Sequence, residues 1–311
     1  MNLFRTFVFL LVLINCNSFA QNYRDKMIHQ TIYPLLGNGI VQKTTKEDYE
    51  KAKAAILNLE SDYGFEVDLK FRLIDCSYYH KDMAFFKEQL AILVEKHGFN
   101  FAYMKGSESY YDDLQKGELL AWFKPMYIRN HSIWLENNFE KQIDQRKLNE
   151  VELKNQIVNS FAMKIRDVSE LDDKVKKDIS DKLNEFFFAN ITDVYKVCRK
   201  LNTYPAGKTF GLIQNGFYGA FVRNFYSTDN IERTWLLFEP YLKDSYQKKD
   251  ADYIHFKNYD VYNYSFKGYQ KYGLITIDDI PEYLRSKNPE AKSVPVENAF
   301  FADKTKREMG W

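Results

Sequence analysis

The sequence predicts a mainly α-helical protein, and three observations support this prediction. Apolar residues recur every three or four positions through most of the 311-residue chain, a spacing that places them on one face of a helix. Residues that start and stop helices bracket these segments, as Asp82 and Gly98 do. Alternation of apolar and polar residues is confined to 262–266, and an apolar run follows at 274–277. These two short segments predict one small β-hairpin in the C-terminal part of the chain.

Residues 1–20 have the layout of a secretory signal peptide. Arg5 precedes an apolar run over 7–14, and the small residue Ala20 closes the segment. We expect cleavage after Ala20, which would place the mature protein in the periplasm or outside the cell. The letters FAQ at the cut are similar to the ends of signal peptides from the Bacteroidota.

The sequence disfavours two kinds of membrane anchor. A lipoprotein anchor at Cys16 is the weaker alternative to secretion, because Asn15 stands where a small residue usually precedes the acylated cysteine. The apolar run 7–14 is too short to span a bilayer, and no later stretch approaches the roughly 18 apolar residues that a span requires. We therefore expect no membrane span.

Charge and motif content disfavour several classes of function. The chain has 44 basic and 43 acidic residues, and loss of Arg5 with the signal peptide brings the net charge close to zero. Because no long-range positive field would attract a polyanion, we expect no nucleic-acid partner. No two of the five histidines lie within a helical turn of each other, so we expect no metal site. Gly207-Lys208-Thr209 lacks the upstream glycine of a phosphate loop, and no cofactor is predicted.

Cys76 and Cys198 remain after cleavage. Each lies in an apolar helical pattern, so we expect two buried, unpaired cysteines. A disulfide between them is the alternative.

Residues 21–136 are predicted to form helical hairpins. The first helix begins at a capping box of Thr44 and Glu47 and ends at Gly64. Its apolar face consists of Tyr49, Ala52, Ile56 and Leu59.

A helix, a Lys-Asp turn and a second helix that ends at Gly98 follow one another in 67–99. This order resembles a tetratricopeptide-type helical hairpin. Phe86 occupies the position that normally holds a small alanine, and no second copy occurs at a period of about 34 residues. The resemblance implies a single helix-hairpin module with an exposed groove, not an array of repeats.

The chain beyond this hairpin changes character twice. The segment 100–138 is predicted to be an irregular hinge, because Gly117 and Pro125 interrupt it. The segment 137–166 is rich in Glu, Lys, Gln and Asn with sparse apolar residues, and it predicts a polar helical connector.

Residues 167–311 are predicted to form a second helical domain. Helical patterns cover 178–200, 216–225 and 231–242, and Pro205 breaks the chain between the first two. The first of these segments contains two patterns. The small β-hairpin follows them.

Four motifs follow one another in this half of the chain: a Tyr-Pro turn, an isolated Asp, a Gly-x-Gln-x-Tyr-Gly segment and a late Arg before a Gly. They stand at Tyr204-Pro205, Asp260, 268–273 and 307–310. Their order from about 152 to 311 resembles an uncharacterised bacterial domain family of unknown function. Arg223-Asn224 stands where relatives tend to carry Gln-His, which puts any activity that needs that histidine in doubt. The resemblance implies no reaction or ligand.

The candidate catalytic residues are Asp260 and His255. A carboxylate beside an imidazole raises its pKa and fixes its tautomer, and paired carboxylates can act as acid and base. The alternative for His255 is a surface histidine among charges. The candidate binding residues are Arg223, Gln270, Tyr272 and Tyr204.

The stretch 258–273 carries six aromatic side chains. Exposed tyrosines could stack on sugar rings or anchor a protein partner, whereas buried ones would seal the hairpin against the helices. We expect most of them to be buried.

From these features we expect an exported protein- or ligand-binding module, with a possible protein partner in the cell envelope. Helical hairpins expose grooves, and no signature of nucleophilic or metal catalysis is present. The alternative is a hydrolase that acts on glycans or peptides with carboxylates near Asp260. The sequence leaves the oligomeric state open.

Overall fold

The computed structural model describes residues 23–104, 109–166, 168, 171–206, 210, 218–285 and 291–311. The described chain is mainly helical, as predicted. The signal peptide predicted for 1–20 lies outside the described residues, so its cleavage stays a prediction.

The described residues divide into two compact units. The N-terminal unit takes its residues from Tyr23–Arg146 and Pro205–Asn215, and the C-terminal unit takes its residues from Lys147–Tyr204 and Gly216–Trp311. The first boundary between them falls within one helix, Gln142–Arg166.

In the N-terminal unit, helical residues 23–26 lead into a π-helical segment, Met27–Ile32, that continues into the turn Tyr33–Leu35. Short 3-10 turns follow at Gly37–Gly39 and Val41–Lys43. The α-helices of this unit are α1 (Lys46–Tyr63), α2 (Val67–Tyr79), α3 (Met83–His97), α4 (Phe101–Met104), α5 (Tyr111–Lys116) and α6 (Leu120–Asn137).

The C-terminal unit has a further set of helices, the first of which starts in the N-terminal unit. They are α7 (Gln142–Arg166), α8 (Asp173–Leu201), α9 (Tyr218–Arg223), α10 (Thr228–Gln247), α11 (Ile254–Lys267), α12 (Glu282–Arg285) and α13 (Ala299–Met309). Short 3-10 turns of this unit lie at Asn224–Tyr226 and Ile277–Asp279, and a further one, Phe139–Lys141, precedes α7 in the N-terminal unit.

Helix α1 buries the predicted apolar face of Tyr49, Ala52, Ile56 and Leu59. Its capping box is shifted by one residue: Thr45 Oγ1 accepts from the Asp48 N–H at 3.1 Å, and Asp48 Oδ2 accepts from the Thr45 N–H at 3.4 Å. The predicted box of Thr44 and Glu47 is wrong, because Thr44 is buried with its Oγ1 3.9 Å from Cys76 Sγ. Either threonine fits the sequence pattern, and burial of the first one decides where the helix starts.

Buried ion pairs hold the first described residues against the start of helix α2. Arg24 donates from Nε and Nη2 to the two carboxylate oxygens of Glu66, both at 2.7 Å, and both residues are buried. The backbone N–H of Glu66 donates to Glu60 Oε1 at 3.0 Å, and Lys70 Nζ donates to Glu60 Oε2 at 2.7 Å. Removing one member of such a pair typically costs about 3–5 kcal/mol, because the other charge is left buried.

Helices α2 and α3 pack against each other across the turn 80–82. Asp82 caps α3 as predicted, since its Oδ1 accepts from the Phe85 N–H at 3.4 Å. Its Oδ2 accepts from Tyr49 Oη at 2.7 Å and from Lys53 Nζ at 2.6 Å, which ties α1 to this turn. The tetratricopeptide resemblance of the segment stays a prediction.

Gly98 ends α3 as predicted, and it also admits a side chain from α6. Its φ of 69° lies in the left-handed region, and a Cβ at this position would lie 2.5 Å from the Trp134 ring. Asn130 Nδ2 donates to the Ala91 carbonyl at 3.2 Å, a second contact between α3 and α6.

The irregular hinge predicted for 100–138 is wrong for its second half, which is helix α6. The helix runs through Pro125, whose missing N–H leaves the Ala121 carbonyl without its usual donor. Ala121 is exposed, so water can take that role. Leu119 and Phe123 belong to the same buried apolar cluster as residues of α3, and this packing outweighs the signals of Gly and Pro.

The two helical patterns predicted over 178–200 form one continuous helix, α8. Asp172 caps it, with Oδ1 accepting from the Lys174 N–H at 2.7 Å. Asn202, in the left-handed conformation with φ of 54°, ends it. Helix α8 packs against α9 and α10.

The β-hairpin predicted from 262–266 and 274–277 is wrong. The first segment lies inside helix α11, and 274–276 is irregular. Throughout the described ranges there is no strand, and β pairing is limited to one isolated bridge between Gln270 and Val296.

Burial around the circumference of α11 explains the error. Asn263, between Tyr262 and Tyr264, mimics the solvent-facing position of a strand. All three residues are buried, and Asn263 Nδ2 donates to the Tyr269 carbonyl at 3.0 Å. A polar residue buried with a hydrogen-bond partner cannot be told from an exposed one by its position in the sequence.

Cys76 and Cys198 are buried and free, so the alternative of a disulfide between them is wrong. Burial raises the pKa of the Cys76 thiol to about 11 and raises that of Cys198 as well. Both thiols are therefore protonated at neutral pH.

Among the described residues, no helix combines the length and the apolar character that crossing a bilayer requires.

Candidate functional site

All six candidate residues lie in the C-terminal unit: Tyr204, Arg223, His255, Asp260, Gln270 and Tyr272. The structure separates them into three groups. One group lies where α11 meets the loop 269–276, the second is a cluster of rings around His255, and the third is Arg223 alone.

The carboxylate of Asp260 holds the loop 269–276 against α11. Its Oδ1 accepts from the backbone N–H groups of Lys271 at 2.7 Å and Tyr272 at 3.0 Å, and its Oδ2 accepts from that of Leu274 at 3.1 Å. The residue is 0% exposed. Burial raises the pKa of Asp260 to about 6, while these three hydrogen bonds favour the charged form. Both oxygens thus face the protein's own backbone.

Gln270 joins the same loop to the segment that precedes α13. Its Nε2 donates to the carbonyls of Ile275 at 3.0 Å and Val294 at 2.9 Å, and its Oε1 accepts from the Ile275 N–H at 2.9 Å. Its backbone N–H donates to the Pro295 carbonyl at 2.8 Å, and its backbone carbonyl accepts from the Glu297 N–H at 2.9 Å. Both the side chain and the backbone of Gln270 therefore hold the loop 269–276 against the segment 294–297.

Tyr272 links the loop to helix α10. Its hydroxyl donates to Glu239 Oε1 at 2.6 Å and accepts from Trp235 Nε1 at 2.7 Å. Lys271 Nζ and Lys243 Nζ each lie 2.9 Å from a Glu239 oxygen. Burial alone would raise the pKa of Glu239, but the hydrogen bonds from Tyr272 and Lys243 and the charge of Lys271 outweigh it and lower the pKa.

Sequence reasoning missed Glu239 and Trp235. The available signal was a single acid within the apolar stretch 235–242 of α10. A lone carboxylate on an apolar helix face needs a buried partner, and Tyr272 is that partner.

His255 is buried among aromatic rings, so the alternative of a surface histidine is wrong. The rings of Tyr204, Tyr218 and Phe221 lie edge-on at centroid distances of 5.1, 5.2 and 5.5 Å. Burial lowers the pKa of His255 to about 4, and the charge of Asp252 acts in the opposite direction. The imidazole is therefore neutral at physiological pH. Within the described part of the chain, its Nδ1 has no hydrogen-bond partner.

Arg223 packs on aromatic faces. Its guanidinium carbon lies 5.0 Å from the ring centre of Phe187 on α8 and 5.1 Å from that of Tyr226. Contacts of this kind are cation–π interactions. Arg223 is half-buried and Tyr226 is exposed, so this contact lies partly at the surface, unlike the buried groups around Asp260 and His255.

In the part of the chain that the structure describes, no group of three or more His, Cys, Asp or Glu side chains is placed to hold a metal ion.

Helix α7 presents an apolar face to solvent. Leu153, Ile157 and Phe161 are 57%, 61% and 56% exposed, and their spacing of four residues aligns them on one side of the helix. On another side, Val151 is buried and its carbonyl accepts from Asn190 Nδ2 of α8 at 2.8 Å. The helix therefore packs on α8 with one face and leaves a second apolar face uncovered. We call Leu153, Ile157 and Phe161 the α7 stripe.

Neither protein-family models, nor curated proteins, nor solved structures gave a match to this chain. The resemblances of 67–99 and 152–311 stay predictions, and the proposals below rest on geometry and sequence.

Proposed function

We propose that this protein is an exported binding protein that docks a protein partner on the α7 stripe. The observation that carries the proposal is the alignment of three large apolar side chains, each more than half exposed, on one helix face. Exposed apolar surface of this kind is favourable only when a partner covers it.

The shape of the stripe indicates the chemistry of the partner. From Leu153 to Phe161 it runs about 12 Å along the helix axis. A straight apolar ridge of this length fits against the apolar face or groove of another helix, in which contacts recur at the same spacing. We therefore expect a helical, apolar partner surface.

The alternative of a glycan or peptide hydrolase requires carboxylates near Asp260, with Asp260 as a catalytic candidate, to reach a substrate. Both oxygens of this residue accept from backbone N–H groups inside the protein. Of the two functions considered, the structure therefore favours binding.

A photo-crosslinking amino acid at position 157 tests the binding function. Irradiation of cells that export this variant should give a discrete crosslinked product of higher mass. The matched control carries the same amino acid at Leu236, which is 79% exposed on α10 of the same unit. Equal products from both positions, or none from position 157, would refute the proposal.

A further inference from the structure

The α7 stripe has a symmetric charge pattern. Glu150 precedes it by three residues and Lys164 follows it by three, so the charges and the stripe have spacings of three, four, four and three about Ile157. On a helix with 3.6 residues per turn, these five side chains fall within an arc of roughly 80° and extend over about 21 Å. The two ends of this surface carry opposite charges.

We propose that the partner on this surface is a second copy of the same chain, with the two α7 helices antiparallel and a two-fold axis at Ile157. The inference rests on the proposed binding function. In an antiparallel pair, Leu153 of one copy faces Phe161 of the other, and Ile157 faces its own copy. Glu150 of each copy then faces Lys164 of the other. A two-fold contact of this kind closes on itself and gives a dimer.

Charge complementarity selects the direction of pairing. A parallel pair would place Glu150 against Glu150 and Lys164 against Lys164. Like charges in direct opposition disfavour a complex, whereas opposite charges favour it and fix the register. The two antiparallel ion pairs bracket the apolar centre, an arrangement in which a charged rim surrounds a desolvated core.

The residues that flank the α7 stripe on the helix surface allow a second α7 helix to approach closely. Asn149, Gln156 and Ser160 are exposed and uncharged. Lys154, which is also exposed, lies 3.8 Å from Asp193 of α8 in the same chain. Pairing through Ile157 therefore brings no uncompensated like charges together among these four residues.

The small size of the surface sets the expected strength. Stable dimers bury on the order of 800 Å² per partner, and three exposed side chains with their rim provide less. We expect a reversible dimer with a dissociation constant of about 10–100 μM, in the range of weak, transient interfaces.

Sedimentation velocity of the purified protein, expressed from Gln21 onwards, tests the self-association. The protein should shift from monomer to dimer between about 1 and 200 μM, around the expected dissociation constant. Ile157→Asp should weaken the dimer at least about 10-fold, because it places a charge at the apolar centre. The matched control, Leu236→Asp, should leave it unchanged. A monomer at every concentration, or a dimer that survives Ile157→Asp, would overturn the proposal.

Charge exchange tests the antiparallel register. Glu150→Lys alone and Lys164→Glu alone should each weaken the dimer about 5-fold, because each creates two like-charge pairs. The double variant should restore the affinity, since the charges are exchanged between the ends. Circular dichroism of each variant checks that the overall helix content is unchanged. A double variant no better than the single ones would contradict the antiparallel pairing.

The experiments can refute the binding function and the self-pairing independently of each other. If position 157 crosslinks to a different protein in cells while the purified chain stays monomeric, the binding function holds and the self-pairing is wrong. If position 157 gives no crosslink and the purified chain is monomeric, both are wrong.

Discussion

His255 shows how a single buried residue makes stability depend on pH. Burial among rings lowers its pKa to about 4 from an ordinary value of 6.5. Between these two values the unfolded chain binds more protons than the folded chain, so the free energy of unfolding falls as the pH falls through this window. Each pKa unit corresponds to about 1.4 kcal/mol. Neutral, buried His255 therefore accounts for up to about 3 kcal/mol of the free energy of unfolding, which is fully present above pH 6.5 and is lost as the pH falls to about 4.

We predict that His255→Phe flattens this pH dependence in the C-terminal unit. A phenyl ring keeps the packing against Tyr204 and Phe221 but binds no proton. Denaturant unfolding at pH 7 and pH 4.5 measures the effect. The reporter is the fluorescence of Trp235 and Trp311, the tryptophans of the C-terminal unit, in a background that lacks those of the N-terminal unit.

His97 provides the control for this prediction. It lies in the N-terminal unit, stacked on Phe65 at a centroid distance of 4.6 Å, and burial lowers its pKa to about 4 as well. His97→Phe should leave the pH dependence reported by the C-terminal tryptophans unchanged. An unchanged slope in His255→Phe would instead show that this imidazole does not couple folding to pH.

The sequence could not give the roles of the candidate residues. Asp260 is a catalytic candidate and Gln270 and Tyr272 are binding candidates, and the structure brings the three together where α11 meets the loop 269–276. The side chains of Asp260 and Gln270 bond to backbone groups, which every residue carries and no sequence pattern distinguishes. Whether a carboxylate faces a substrate or a loop therefore depends on tertiary structure.

At the scale of elements, the attachment of the loop 269–276 to α11 gives a second prediction. Asp260→Asn should destabilise the C-terminal unit by about 2–4 kcal/mol, because the amide directs donor hydrogens at backbone N–H groups and the charged acceptor is lost. Thermal and denaturant unfolding measure the loss. The matched control is Asp278→Asn, whose side chain is 90% exposed in the same unit.

The same variant decides between the two functions considered. Asp260→Asn with wild-type stability and an abolished turnover of a glycan or peptide panel would support the hydrolase. If the wild-type protein shows no such turnover and Asp260→Asn is destabilised, the result supports a structural role in which the Asp260 carboxylate holds the loop 269–276.

Elements with one buried face could be predicted from the sequence, and elements buried on several faces could not. Helix α1 packs with one face only, and its four apolar positions were predicted correctly. Helix α11 buries tyrosines, Asp260 and Asn263 around its circumference, which removes the helical period and produces a false strand. Helix α6 carries Pro125, and packing against α3 outweighs the local signal.

At the scale of the whole molecule, the division into units is not contiguous in sequence. Pro205 and Ala206 belong to the N-terminal unit, although Tyr204 belongs to the C-terminal unit. Amino-acid composition along the chain cannot show that a later segment returns to an earlier unit. The helix that carries the stripe also crosses a unit boundary, and the sequence indicated only a polar connector there.

Export can be tested on the whole molecule. We predict that intact-mass and N-terminal analysis of the protein recovered from the periplasm or the medium shows Gln21 as the first residue. The layout of 1–20 is the reason for this expectation. A protein that keeps Met1, or one acylated at Cys16, would show that the processing is different.

The buried pair of Arg24 and Glu66 limits where the N-terminal unit can fold in a chain that still carries the predicted leader. In a chain cut after Ala20, Arg24 would be the fourth residue, and four residues reach at most about 14 Å. We therefore expect that in a precursor whose leader is held in the membrane, this pair forms only with the N-terminal unit lying against the bilayer surface.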